Sequence, residues 1–131
     1  MKPMLVILCT TVFGAVPVAA DGPPKLQDLP QYTCMTLTLT PEQARDVTIK
    51  VPLYAAPSRS SPILAYANML MAVRDPQHPT NGFDEVLFTT GRTMWIEADA
   101  LVPYRNLTYP QTRCVPARMP NGLISFDLTS P

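Results

Sequence analysis

Apolar and polar positions alternate over several short stretches of the chain, which is the two-residue period of a strand with one buried face. Met35-Thr36-Leu37-Thr38-Leu39-Thr40 shows the pattern without a break, so Met35, Leu37 and Leu39 are expected on one face. Val47-Thr48-Ile49-Lys50-Val51 repeats it and predicts a second strand with Val47, Ile49 and Val51 inward. Between them, Thr40-Pro41-Glu42-Gln43 offers a hydroxyl to cap, a proline for the first helical position and a glutamine to close a capping box. One helical turn is expected there. Pro52 has no N–H to give, so the stretch after it is expected at a sheet edge or in a loop.

Further along, Ala55 to Pro62 is polar and turn-rich. Ile63 to Ala67 and Met69 to Val73 are apolar runs of strand length, parted at Asn68 by a turn or bulge. Arg74 to Gly82 reads as a loop ending in the turn pair Asn81-Gly82. Glu85 to Thr89 and Thr93 to Glu97 read as a hairpin about Thr90-Gly91-Arg92. Ala98 to Leu101 suits one helical turn, and Val102-Pro103-Tyr104 returns to extended chain. The last stretch, Gln111 to Pro131, is proline-rich apart from Leu123 to Leu128, a candidate edge strand. Short strands at close spacing without a long helix predict an all-β fold, a small barrel or sandwich.

The start of the chain breaks this pattern. MKPMLVILCTTVFGAVPVAA has one basic residue, an apolar run from Met4 to about Val16, and small residues before Asp21. These are the parts of a secretory leader cleaved after Ala20. The run is shorter than the roughly 20 residues that span a bilayer, and Pro17 interrupts it, which argues against a retained anchor. Leu8 before Cys9 argues against lipidation. Residues 1–20 are therefore expected to be removed, leaving a periplasmic or secreted protein with an extended, mobile lead-in over 21–33. The 131 residues hold ten basic and ten acidic side chains, and losing Lys2 leaves nine against ten. That balance excludes the basic footprint of a nucleic-acid binder.

Cleavage removes Cys9 and leaves Cys34 and Cys114, which in an oxidising compartment have one pairing open to them. The rival use, a reactive thiol, needs a held base. The single histidine, His78, lies in a loop between Pro76 and Pro79. One histidine, two cysteines and scattered carboxylates make no metal cluster, and no glycine-rich phosphate loop is present. No enzyme activity, metal or cofactor is expected. Asn106-Leu107-Thr108 is a formal glycosylation sequon, a pattern common by chance.

Three stretches carry a likeness. Pro52-Leu53-Tyr54-Ala55-Ala56-Pro57-Ser58-Arg59-Ser60-Ser61-Pro62-Ile63-Leu64 is followed by Asn81-Gly82-Phe83-Asp84-Glu85-Val86. Gly91-Arg92-Thr93-Met94-Trp95-Ile96 comes next, ahead of Ala98-Asp99-Ala100-Leu101. In this order, over about Val47 to Tyr104, the chain resembles the bacterial SH3-like (Src homology 3 type) domains of exported envelope proteins. Asn68, Phe83 and Met94 depart from that family's usual glycine, tryptophan and glycine. The resemblance implies a small SH3-like barrel of about five short strands within residues 34–114, with a flanking N-terminal strand and a proline-rich extension over 115–131. It also implies a non-catalytic module binding an extended peptide or peptidoglycan fragment, with Tyr54, Phe83, Trp95 and Tyr104 as candidate groove residues. Tyr54 and Tyr104, each with a proline close by in the chain, are the better surface candidates. Trp95, next to Ile96 in a strand, and Phe83 are expected in the core. The alternative is an assembly protein that docks on an envelope protein through a strand edge or the C-terminal segment.

Overall fold

A computed structural model describes residues 26–129, with Pro3, Thr10 and Gly14 besides. The expected leader, save those three residues, and positions 21–25 lie outside the described residues. Among the described residues no helix is long and apolar enough to cross a membrane.

The chain is all-β, with two antiparallel sheets. In chain order the elements are β1 (Gln27–Asp28), β2 (Tyr32–Leu37), α1 (Pro41–Arg45), β3 (Pro52–Tyr54), β4 (Ile63–Tyr66) and β5 (Leu70–Arg74). They continue with β6 (Phe83–Leu87), β7 (Thr93–Glu97), a 3-10 turn (Ala98–Ala100), β8 (Leu101–Pro103), β9 (Arg113–Arg118) and β10 (Ile124–Thr129). The larger sheet runs β4-β3-β7-β6-β5-β2-β8 and the smaller β1-β9-β10. No ladder joins β4 to β8, so the sheet is open where a closed five-strand barrel was expected. The presumed flanking strand β2 is a full member, hydrogen-bonded to β5 on one side and β8 on the other.

Alternation explains the packing. Met35 and Leu37 on β2, Leu53 on β3, Met71 and Val73 on β5, Val86 on β6, Met94 and Ile96 on β7 and Leu101 on β8 form one buried cluster. All nine come from a single sheet, which therefore curls about its own inner face. The intervening residues face outward. There Ala72 and Leu87 meet Leu29 and Ile124, with Tyr32 and Phe126 alongside, in a second cluster that seats the smaller sheet. The Cys34–Cys114 disulfide joins β2 to β9 across the same seam.

The predicted turn α1 forms as expected: Thr40 Oγ1 accepts from Gln43 N–H, and Gln43 returns its Oε1 to Thr40 N–H at 2.9 Å. The strand expected over Val47–Val51 does not form. Asp46 Oδ1 accepts from both the N–H and the hydroxyl of Thr48, and its carbonyl accepts from Ile49, so the chain turns and leaves Val47 87% exposed. Those two bonds from Thr48 also hold the Asp46 carboxyl below the ordinary range. Pro52 opens an interior strand rather than an edge. It stands first in β3, and β7 joins only at Tyr54.

Gln27–Asp28 of the lead-in and the proline-rich extension, where Leu123 to Leu128 is the candidate edge strand, contribute to the smaller sheet. Its central strand β9 spans the expected boundary at 114 and contains Pro116. Pro116 fits because of where its nitrogen points. Its carbonyl accepts from Leu29, so its nitrogen also faces the β1 side, at the point where β1 ends, and the ladder to β10 loses nothing.

Candidate functional site

One row of side chains crosses the outward face of the larger sheet. Tyr32 pairs with Arg74, Glu85 with Trp95, Trp95 with Tyr54, and Tyr54 with Ile63. Arg74 Nη1 lies 3.8 Å from Glu85 Oε2, which links the two halves of the row, and the Arg74 guanidinium sits 5.9 Å from the Tyr32 ring centre. Trp95 is in the middle. Its strand neighbours Met94 and Ile96 point into the large core, and Trp95 points away from it, half-buried. The expectation that Trp95 fills the core therefore fails on alternation: it is Ile96 that the core takes.

Beside Trp95 is a cavity of about 330 Å³ lined by Arg74, Pro76, His78, Thr80, Asp84, Glu85 and Trp95. It arises from a mismatch between two registers. Thr80 pairs with Phe83 across the tight turn Asn81-Gly82, both at positive φ, and that register alone would set His78 opposite Glu85. The β5–β6 ladder, with Val73 opposite Val86, sets Arg74 there instead. Residues 75–79 bulge out to reconcile the two, and the space beside them is the cavity. Asp84, on the opposite face from Glu85, is 5% exposed, and burial pushes its carboxyl above the ordinary range.

The other aromatic candidates divide. Tyr54 and Phe83 stand on the same face as Trp95 and meet edge to face at 5.6 Å, but both are buried. The Pro-Ser loop after β3 folds over them, and Arg59 at its tip pairs with Glu97 on β7. A second hollow of about 360 Å³ lies here, between Arg59, Asn81, Gly82, Phe83, Glu97 and Asp99. Tyr54 is thus a packing residue and not the exposed anchor expected. Tyr104 follows β8, from which β7 is separated by β6, β5 and β2. Its N–H donates to the Cys34 carbonyl at 3.3 Å, and its hydroxyl accepts from Asn106 Nδ2. With Thr36, Val102, Pro103, Arg105 and Leu107 it lines a separate hollow of about 560 Å³. The four candidates do not form one groove.

Sequence reasoning missed the Arg74–Glu85 pair and Tyr32. The alternation of Thr93 to Glu97 contained the signal for Trp95, because Met94 and Ile96 already claim the inner face. The Cys34 and Cys114 sulfurs are used in the disulfide, and among the described residues no three His, Cys, Asp or Glu side chains converge as a metal site. Comparison with known proteins finds no matching family model, no matching curated protein and no matching solved structure.

Proposed function

We propose that this chain is a non-catalytic binding module of the bacterial envelope, exported to the periplasm or beyond, which takes an extended peptide or cell-wall fragment beside Trp95. The observation that carries the reading is the half-buried indole beside a concave cavity, flanked by an ion pair and by His78 and Thr80. An indole face offers apolar contact, and the surrounding polar groups can accept and donate hydrogen bonds to a peptide backbone. The disulfide is compatible with an oxidising compartment.

An SH3-like origin for the larger sheet belongs to the same proposal. In its favour are a strand and return strand about a Pro-Ser loop, the meander β5-β6-β7, and a 3-10 turn leading into the short strand β8. The test is co-sedimentation of the purified protein with insoluble peptidoglycan. Wild type should pellet, and Trp95→Ala should stay in solution while remaining folded with at most a few degrees' loss of melting temperature. If the variant pellets as well as wild type, the cavity is not the site.

A further inference from the structure

The two sheets have four edges, and three of them are blunted. β1 is two residues long. At β8 the outward N–H of Leu101 is taken by the Ala98 carbonyl, and Pro103 has none. β4 is four residues long with a register shift opposite Leu53 and Tyr54, and Lys50 lies over Tyr66, 5.2 Å from the ring centre. Bulges, prolines, lysines and short length are the usual protections of an exposed edge.

The fourth edge, β10, has six residues without proline, glycine or lysine. Met119 N–H donates to the Leu123 carbonyl, so Leu123, Ser125, Asp127 and Thr129 turn their backbone groups toward β9. Ile124, Phe126 and Leu128 turn theirs outward. Ile124 N–H is taken by the Thr89 carbonyl at 2.8 Å. Among the described residues nothing pairs with the outward N–H groups of Phe126 and Leu128.

We infer that β10 is a docking edge for an extended strand of a different protein, with apolar residues opposite Phe126 and Leu128 and a lysine or arginine opposite Asp127. A second copy of this chain fits poorly. Self-pairing about a two-fold axis normal to the sheet brings together residues that share a face. Centred on Phe126, it sets Leu128 against Ile124 of the other copy, where Thr89 already occupies the edge. Centred on Asp127, it places carboxylate on carboxylate, which is destabilising. Centred on Leu128, the two copies of β10 overlap over residues 127–129 alone. A foreign strand meets none of these obstacles, and its cation would face the one charge on β10. This edge belongs to the smaller sheet, and the inference does not depend on the Trp95 reading.

The probe is a capped peptide Thr-Val-Lys-Val-Thr added to isotope-labelled protein, with amide shifts and hydrogen exchange followed by NMR. The Phe126 and Leu128 amides should shift and gain protection, and replacing the peptide's lysine by glutamate should weaken binding about three- to tenfold. Leu128→Pro removes an outward N–H without touching the β9 ladder. It should abolish binding with the melting temperature held, and Asp127→Lys should reverse the preference between the two peptides. The inference is overturned if the Trp95 cavity amides move instead, or if both peptides leave β10 unchanged. A dimer in sedimentation equilibrium that Leu128→Pro dissolves would overturn it in favour of self-pairing.

Discussion

The outward face of the larger sheet is two surfaces of opposite character. Over β2, β5 and the start of the β6–β7 turn it is dry: Ala72 and Leu87 lie under the smaller sheet, Ile124 N–H is bonded to Thr89, and a disulfide closes the seam. Over the far end of β5, β6 and β7 it is open, with a tryptophan, an ion pair and a cavity. The strands are the same in both halves, and their inner faces share one core. What differs is whether a second layer arrived to cover the apolar positions. The covered half acts in stability and the open half is left for recognition.

The covered half can be broken most severely at the disulfide. Its cysteines are 80 residues apart, and replacing both with alanine should cost about 4 kcal/mol of unfolding free energy in the chain-entropy view, read by urea denaturation. If the smaller sheet is an independent appendage, the larger sheet's transition will not move. Leu53→Ala, at a side chain with no exposure in the shared core, should cost about 2–5 kcal/mol by the same assay, and Tyr54→Ala should also destabilise, since both are buried. In the open half, Trp95→Ala should cost under about 1 kcal/mol of stability but weaken ligand retention by about 1–3 kcal/mol.

A smaller effect sharpens the comparison at the sheet's end. Burial raises the Asp84 carboxyl above its unfolded value, so the folded state holds that proton more tightly. The contribution of Asp84 to stability is therefore fully present below the ordinary carboxylate range and is lost as pH climbs through the raised folded value. Asp84→Asn should remove this fall, raising the melting temperature at neutral pH and leaving it unchanged at acid pH. An increase of equal size at both would trace the gain to packing instead of charge.

Local rules read several elements correctly. The capping box at Thr40, the β6–β7 hairpin, the helical turn after Glu97 and the strand character of Leu123 to Leu128 follow from periodicity and turn residues alone. Val47 to Val51 has equally good alternation and forms no strand, because Asp46 offers Thr48 a local hydrogen bond, and only the Val51 carbonyl reaches the sheet, accepting from Ala67. β9 was hidden by Pro116, whose tolerance depends on β1 ending opposite it, a fact of pairing that no local window contains. The cysteine pairing followed from compartment and count.

The site was less legible for a related reason. Alternation places Trp95 outward once Met94 and Ile96 are assigned to the core, so its orientation was within reach. The cavity was not, since it arises where a ladder and a tight turn disagree in register across residues 75–79. Tyr54 reads as exposed close to its proline and loop, but the loop folds back and the Arg59–Glu97 pair holds it down. Such closure is tertiary.

Trp95 is the only tryptophan of the chain, so its emission reports the open half without a label. Titration with soluble peptidoglycan fragments should shift that emission to shorter wavelength and saturate, as ligand displaces water from the indole. Emission that stays constant while the protein still sediments with peptidoglycan would place recognition elsewhere and contradict the division of the sheet proposed here.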